Sequence, residues 1–384
     1  MKLYSVPADF KKETIDQYAT LNKQYTDSQV IETYGNISIN NLLESGRAVN
    51  QIPKVDLWDL KEYVAYSNTK NIEFNYTINA PYLNKKEFSR DGVDLIQKYL
   101  KDIYNAGVRS ITSALPSLTE IIQASGYDFK IKASTLCQIT NANKASFYKD
   151  LGLERIVVDE SINRDFKALR RIVNAFGDKV EVIVNPICLM DCVYRMFHYN
   201  QVSGDSTVCT DEISTNYFEH RCVLQRYKKV SNLLRISWIR PEDIEYYTSI
   251  GIHYFKLQGR NLVLKGDPVR AVKAYFDKDY DGDLMDIIYM FHPLNNFKIY
   301  LDNKKLDKFL QPFYKNEQFC SRDCSVCSYC ENFSKKVIDH SEAEGIIELS
   351  NTFYKEYDKF NRIIQPAAKE EEKTGGELHI DFNF

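Results

Sequence analysis

Apolar runs of strand length alternate with stretches of helical period from the N-terminus to about residue 276. Nine runs read as strands: Lys2 to Ala8, Gln29 to Tyr34, Ile72 to Ile78, Val108 to Ser113, Lys130 to Leu136, Arg155 to Asp159, Val180 to Asn185, Leu234 to Ile239 and His253 to Gly259. Most segments between them read as helices. In Asp94 to Tyr104 apolar residues recur at three- and four-residue steps until Gly107 stops the helix, and Ser117 and Pro241 are good helix-start residues. Strand-helix units whose strands are too apolar for a half-wet sheet predict a parallel sheet covered by helices. About eight such units over roughly 270 residues predict an α/β fold of the TIM-type (β/α)8 barrel class. A doubly wound open sheet is the competitor, but no glycine-rich dinucleotide loop follows the first strand.

The rhythm divides the chain into a barrel at 1–276, a cysteine-rich extension at 277–340 and a C-terminal part at 341–384. Asp277 to Asp283 has the composition of a calcium loop, but its acidic positions miss the twelve-residue register ending in Glu, so it reads as a solvated turn. Residues 341 to 364 read as a final helix. Lys369 to Gly376 is an acidic, linker-like run, after which Leu378, Ile380, Phe382 and Phe384 alternate with polar residues as one strand or a frayed tail would.

Composition narrows the function classes. With 50 Lys plus Arg against 53 Asp plus Glu the net charge is -3, so no broad basic field supports binding to nucleic acid, which is disfavoured as a partner. The opening residues lack an apolar signal core, and the most apolar run, Val180 to Met190, is broken by Glu181, Asn185 and Pro186, so neither secretion nor membrane insertion is expected. A cytoplasmic chain keeps its thiols reduced, which makes nine cysteines a sign of metal or cluster ligation and not of disulfides. Twenty-seven tyrosines beside many Asn, Lys and Ile residues read as the composition bias of an AT-rich genome.

Cys320, Cys324, Cys327 and Cys330 form C-x3-C-x2-C-x2-C, close enough for one ion or cluster to take all four thiolates. Zinc and a [4Fe-4S] cluster both accept four thiolates, and the tight packing leans toward the cluster, since zinc ribbons usually take two separated pairs. The first three also match the spacing of radical S-adenosylmethionine enzymes, but Cys330 would fill the iron position those enzymes leave open. A second group, Cys188, Cys192, Cys209 and Cys222, begins where the strand Val180 to Asn185 ends. That is the C-terminal mouth of a barrel, the face where active sites are built. Cys209 is its weakest member, His220 could replace a missing thiolate, and Cys137, alone on a strand, reads as a core residue. Arg195 and His198 lie three apart just beyond Cys192, as an anion contact and a proton donor beside that group or as a surface cation and a packed histidine.

Three stretches now carry a resemblance. Ala133-Ser134-Thr135 through Asn141 to Gly152 and Glu160, the segment Asn185-Pro186-Ile187-Cys188, and Ile239-Arg240-Pro241 through Gly251 to Lys256-Leu257-Gln258-Gly259-Arg260 together resemble the collagenase-like peptidase family, peptidase family U32. That family also holds the UbiU/UbiV pair and iron-sulfur RNA hydroxylases. The resemblance implies a TIM-like barrel with an iron-sulfur cluster held by four cysteines at its mouth, and oxygen-independent hydroxylation of ubiquinone precursors or RNA bases. On this chain the cluster ligands fall on Cys188, Cys192, Cys209 and Cys222, the strand carboxylate on Glu160, and the closing strand's cations on Lys256 and Arg260. Lys256, Gln258 and Arg260 alternate, so all three would point to one side. Two departures mark a divergent member: the first two cysteines are closer together than is usual in the family, and Gln258 stands where the family has Glu.

The leading expectation is an iron-sulfur hydroxylase or oxidoreductase with two [4Fe-4S] clusters, zinc being the alternative at the C-terminal site. Arg260, Lys256 and Arg195 would hold an anionic group of a small-molecule or modified-biopolymer substrate, and Glu160 or His198 would move protons. The alternative is a non-catalytic or electron-delivering subunit paired with a related barrel. A peptidase is the weakest reading, because no Ser-His-Asp, Cys-His or H-E-x-x-H arrangement is recognisable.

Overall fold

The structure, a computed structural model, describes residues 1–206, 217–293 and 299–341, with positions 345, 348, 352 and 355 beyond. Its centre is a closed barrel of eight parallel strands in sequential order. These are β1 (Lys2–Pro7), β2 (Ser28–Gly35), β3 (Glu73–Ile78), β4 (Ser110–Ser113), β5 (Lys130–Ala133), β6 (Arg155–Val157), β7 (Val180–Ile183) and β8 (Tyr254–Lys256). Closure comes from β8 pairing with β1, Tyr4 opposite Phe255. The expected TIM-type barrel is therefore the fold.

The outward residues of the strands, among them Tyr4, Val30, Phe74, Ile111, Val182 and Phe255, are apolar and buried. Amphipathic helices cover them. In α1 (Lys12–Gln24) the buried stripe is Ile15, Tyr18 and Leu21. The later helix Arg90–Asn105 buries Ile96, Tyr99, Leu100 and Ile103, and Ser89 caps its start by accepting from the Gly92 amide. Each such aliphatic or aromatic side chain gains about 1.5–3 kcal/mol on burial, so the outer layer is an ordinary hydrophobic core.

The barrel's interior is different. Ser5, Glu32, Lys132, Arg155, Glu181 and Lys256 all lie inward and are buried. Lys132 Nζ, on β5, pairs with Glu32 on β2 and lies 3.0 Å from Glu181 Oε2 on β7. Arg155 adds contacts of 3.4 Å to Glu32 and 3.8 Å to Glu181, and the Ser5 hydroxyl donates to Glu181 at 2.5 Å. Barrels of this kind usually fill that space with branched aliphatic side chains; here a cross-barrel ion network fills it.

One strand expectation is overturned. Leu234 to Ile239 does not enter the barrel: Val230–Arg235 is a short 3-10 helix, and Ile236 makes only an isolated antiparallel bridge to Leu189. Since β7 pairs directly with β8, the barrel has no position for it. The segment is apolar because it is clamped over a buried cation, Arg164 donating to the Leu234 carbonyl and, at 2.6 Å, to that of Ile236. Cys137 also moves, from a strand to the end of the turn Thr135–Cys137, where it still packs on the core.

After the outer helix Pro268–Asp277, the chain packs short helices and the two-stranded pair of Tyr300–Leu301 with Ile338–Asp339 onto the barrel. The contacts are aromatic, with ring centroids 5.2 Å apart for Phe166 and Tyr314 and 5.6 Å for Trp238 and Phe309. Of the expected final helix, positions 345, 348, 352 and 355 are described and helical; the alternating tail lies outside the described residues. No helix among the described residues is long and apolar enough to cross a membrane.

Candidate active site at the barrel mouth

At the C-terminal ends of the strands a cavity with about 490 Å3 of empty space opens, lined by Arg47, Tyr199, Lys256, Gln258 and Arg260 and by hydroxyls of Thr77, Thr112, Ser134 and Thr135. Lys256 closes β8, and Gln258 and Arg260 follow it on the same side, as their alternation predicts. Gly259, at φ +132°, makes the turn between them; a Cβ there would stand 2.4 Å from Met290 Cε.

Arg260 is held by two asparagines that immediately follow strands: Asn36 after β2, and Asn79 after β3 at 3.1 Å. Arg47 comes from the long loop after β2, with Nε 3.3 Å from Asn261 Oδ1 and Nη1 2.6 Å from the Gly46 carbonyl. Lys256 Nζ sits 3.4 Å from the centroid of the Tyr34 ring. Among the described residues none of the three cations meets a carboxylate at ion-pair distance. Burial, then the neighbouring Lys132, pushes the Lys256 amine down to about 7 against the pull of Glu181 and Glu32. Burial, then Arg47, brings Arg260 down to about 10. This is a concave, cation-lined site.

The thiols lie to one side. Cys188, just past β7, has Cys222, Cys192 and the Glu160 carboxylate within electrostatic reach. Glu160 is 2 % exposed. Arg195, expected as a third anion contact, is committed elsewhere: it pairs with Asp159 and, at 3.4 Å, with Glu160. Two buried carboxylates need that charge more than a cavity does. His198 follows on the helix Arg195–Gly204, its ring 6.2 Å from those of Tyr199 and Phe218. Cys209 and the side chain of His220 lie outside the described residues.

Two residues that sequence reasoning missed stand beside the thiols, one of them in the cavity wall. Tyr199 lines the cavity, with the Arg47 guanidinium 5.9 Å from its ring centroid, and its hydroxyl feels both Arg47 and Cys188, although burial is the main force pushing its ionisation upward. Arg226, 3 % exposed, donates to Cys222 Sγ at 3.1 Å and to the Ile187 carbonyl.

The cluster implied by the resemblance needs soft thiolate donors, and hydrogen bonds to the sulfurs tune it. Three thiols flanked by Arg195 and Arg226 suit that chemistry, with Cys188, Cys192 and Cys222 as the residues that would hold it. Among the described residues no three His, Cys, Asp or Glu side chains are grouped so as to hold a metal ion.

Comparison with known proteins adds a family. The model of peptidase family U32 matches residues 47–277. An uncharacterized protease of Methanocaldococcus jannaschii is 27% identical over 339 residues, spanning 87% of this chain and 98% of its own length. Among solved structures, a U32 peptidase aligns with a TM-score of 0.49 and 13% identity, covering 67% of this chain and 93% of its own. An α-amylase of Geobacillus thermoleovorans aligns at 0.36 with 9% identity, covering 76% of this chain and 78% of its own.

Proposed function

The chain belongs to peptidase family U32, and from that premise we propose an iron-sulfur enzyme that carries out an oxygen-independent hydroxylation or related redox modification on a substrate bearing a carboxylate or phosphate. The observation that carries the reading is the juxtaposition at one barrel mouth of three cations without carboxylate partners among the described residues and a group of thiols, with Tyr199 facing both. Buried cations are costly until an opposite charge meets them, so an anionic substrate completes this pocket. Arg260, fixed by Asn36 and Asn79, presents a preset fork to that anion. Arg47 closes on it from the loop side, and Lys256 supplies an ammonium whose charge depends on pH near neutrality. Of the hydroxyl residues lining the cavity, Thr77 has no hydrogen-bond partner for its hydroxyl and can offer it to the rest of the substrate.

A cluster on Cys188, Cys192, Cys222 and Cys209 would supply electron transfer beside the bound substrate. Glu160 stands within electrostatic reach of Cys188, and Arg195 keeps Glu160 and Asp159 in place. The family's name assigns peptide hydrolysis, and one experiment separates the two activities. Anaerobic purification with iron, sulfide and EPR measurements, on the wild type and on Cys188→Ser/Cys192→Ser, is expected to show a cluster lost in the variant. A colourless protein holding only zinc, or peptide cleavage by a cluster-free sample, overturns the redox reading.

A further inference from the structure

We propose that Lys256 condenses with a carbonyl carbon of the substrate, which is then an aldehyde or ketone bearing a carboxylate or phosphate. The inference rests on the mouth being an anion pocket and not on any cluster. Lys256 is 8 % exposed, closes β8 and lines the cavity. Its backbone is held on both sides: it stands opposite Ser5 of β1 and Ile183 of β7, and its carbonyl accepts from the Val184 amide at 2.9 Å. The Tyr34 ring fixes the far end of the side chain, with Nζ 3.4 Å from its centroid. That ring is itself pinned, its hydroxyl donating to the Leu257 carbonyl at 2.7 Å. A rigid strand and a pinned ring give a reacting atom its place before a substrate arrives.

Among the described residues no carboxylate stands at ion-pair distance from this amine. The layer beneath holds two carboxylates, and both are taken. Lys132 Nζ pairs with Glu32 and lies 3.0 Å from Glu181, Arg155 stands 3.4 and 3.8 Å from the same two, and the Ser5 hydroxyl donates to Glu181. Lys256 is thus a third buried cation over two acids. Such an ammonium is relieved by losing its proton, and burial, then Lys132, brings it down to about 7. The face of Tyr34 accommodates either state, as a cation–π contact or as N–H···π. A desolvated amine among other cations is a nucleophile at neutral pH.

The rest of the cavity matches a small anionic carbonyl compound. Arg260 and Arg47 meet the anion, and Thr77, whose hydroxyl has no hydrogen-bond partner, is free to donate to a ligand oxygen. The condensation balances without oxidant or reductant. The Nζ lone pair forms the C–N bond while the carbonyl π electrons pass to oxygen, which takes a proton. That oxygen leaves as water when the C=N bond forms. Overall an ammonium and a carbonyl give a protonated imine and water, and the positive charge stays on nitrogen. The protonated imine then draws electrons from the adjacent carbon and eases loss of a proton there.

The test uses the full chain purified anaerobically, incubated at neutral pH with pyruvate or with dihydroxyacetone phosphate, reduced with borohydride, digested and mapped by mass spectrometry. About one reduced adduct per chain is expected, on the peptide that holds Lys256, with the probe that reacts telling carboxylate from phosphate. Excess malonate should block it. Lys256→Arg, which keeps the charge but cannot condense, should lose it, and circular dichroism checks the fold of that variant. No adduct with either probe, adducts spread over exposed lysines, or an adduct that survives in Lys256→Arg overturns the inference. Titration calorimetry with malonate on the same sample separates the two readings. Malonate binding without an adduct overturns the condensation alone, and absence of both overturns the anion pocket with it.

Discussion

Replacing Lys132 by Met tests whether the ion network inside the barrel holds it together. The wild-type layer sets Glu32 and Glu181 against Lys132 and Arg155, with Lys132 touching both carboxylates. Methionine keeps the length of the side chain and removes the charge, leaving two carboxylates that are 1 % and 0 % exposed to share one guanidinium at 3.4 and 3.8 Å. Breaking a buried pair from one side costs about 3–5 kcal/mol. The cost is expected to depend on pH. Burial alone would raise the Glu181 carboxyl, and Lys132, ahead of Arg155, Lys256 and the Ser5 hydroxyl, overturns that and holds it below its ordinary value. A carboxyl held low contributes stability above its unfolded value, and that stability fades as pH falls through the folded value. Without Lys132 the Glu181 pKa rises, so the loss is largest near pH 7.5 and shrinks toward pH 5 as Glu181 takes a proton. Adding Glu32→Gln removes the surplus negative charge and is expected to recover about 2–3 kcal/mol of the loss. The assay is urea unfolding of the metal-free chain followed by circular dichroism at both pH values, with the slope checked for constancy. A loss below about 1 kcal/mol at pH 7.5, or a second substitution that deepens the damage, refutes the account.

Three further outcomes are expected. Arg47→Ala and Arg260→Ala should each weaken binding of malonate or phosphate at least tenfold by titration calorimetry, since a charge-assisted hydrogen bond contributes about 1.5–3 kcal/mol; unchanged binding would remove the anion site. Affinity for the same probes should fall as pH rises through about 7, because burial, then Lys132, brings the Lys256 ammonium to deprotonation there. Lys132, Glu181, Glu32 and Arg260 are the charges that face it, and Lys256→Met should flatten the profile. Burial raises the Asp283 carboxyl to about 6 although it accepts from the Met285 and Leu301 amides. Being raised, it contributes stability that is complete below its unfolded value and is lost as pH rises through about 6. Asp283→Asn keeps the acceptor and should gain about 1–2 kcal/mol at pH 7 relative to pH 4, allowing for partial exposure; parallel stability curves for wild type and variant would count against it.

The barrel was legible in the sequence because its strands expose apolar side chains to covering helices, and eight of nine apolar runs became strands. The ninth, Leu234 to Ile239, failed because apolarity reports burial and not pairing: what buries it is the Arg164 clamp beside Trp238. Within the site, Lys256 and Arg260 were marked by the family resemblance, and alternation added that they and Gln258 share one side. Arg47 was not, since it lies in an aperiodic loop and reaches the mouth only through closure of the barrel. Tyr199 was hidden among 27 tyrosines. A usable signal was present in Asn36 and Asn79, each one residue past a strand, where an amide serves a neighbour and not the sheet. Glu181 read only as a break in an apolar run, because nothing local shows that β2, β5 and β7, which carry Glu32, Lys132 and Glu181, face one another.

The cations around the mouth divide by partner, and the division bears on how an anionic substrate could approach thiolates at all. A cluster on the inner cysteines and a bound carboxylate or phosphate would repel each other unless positive charge lay between them. Arg195 serves Asp159 and Glu160, and Arg226 serves Cys222. Arg47, Lys256 and Arg260 have no acidic partner among the described residues, and Arg47 lies against the Tyr199 ring, on the thiol side of the cavity. Beneath them the two carboxylates of the barrel are matched by Lys132 and Arg155, so the layer below is close to neutral and does not cancel the field above it. Substituting Arg226 should therefore disturb the cluster and leave anion affinity alone, whereas substituting Arg47 should do the reverse. A pocket in which the two effects could not be separated would not have this arrangement of charge.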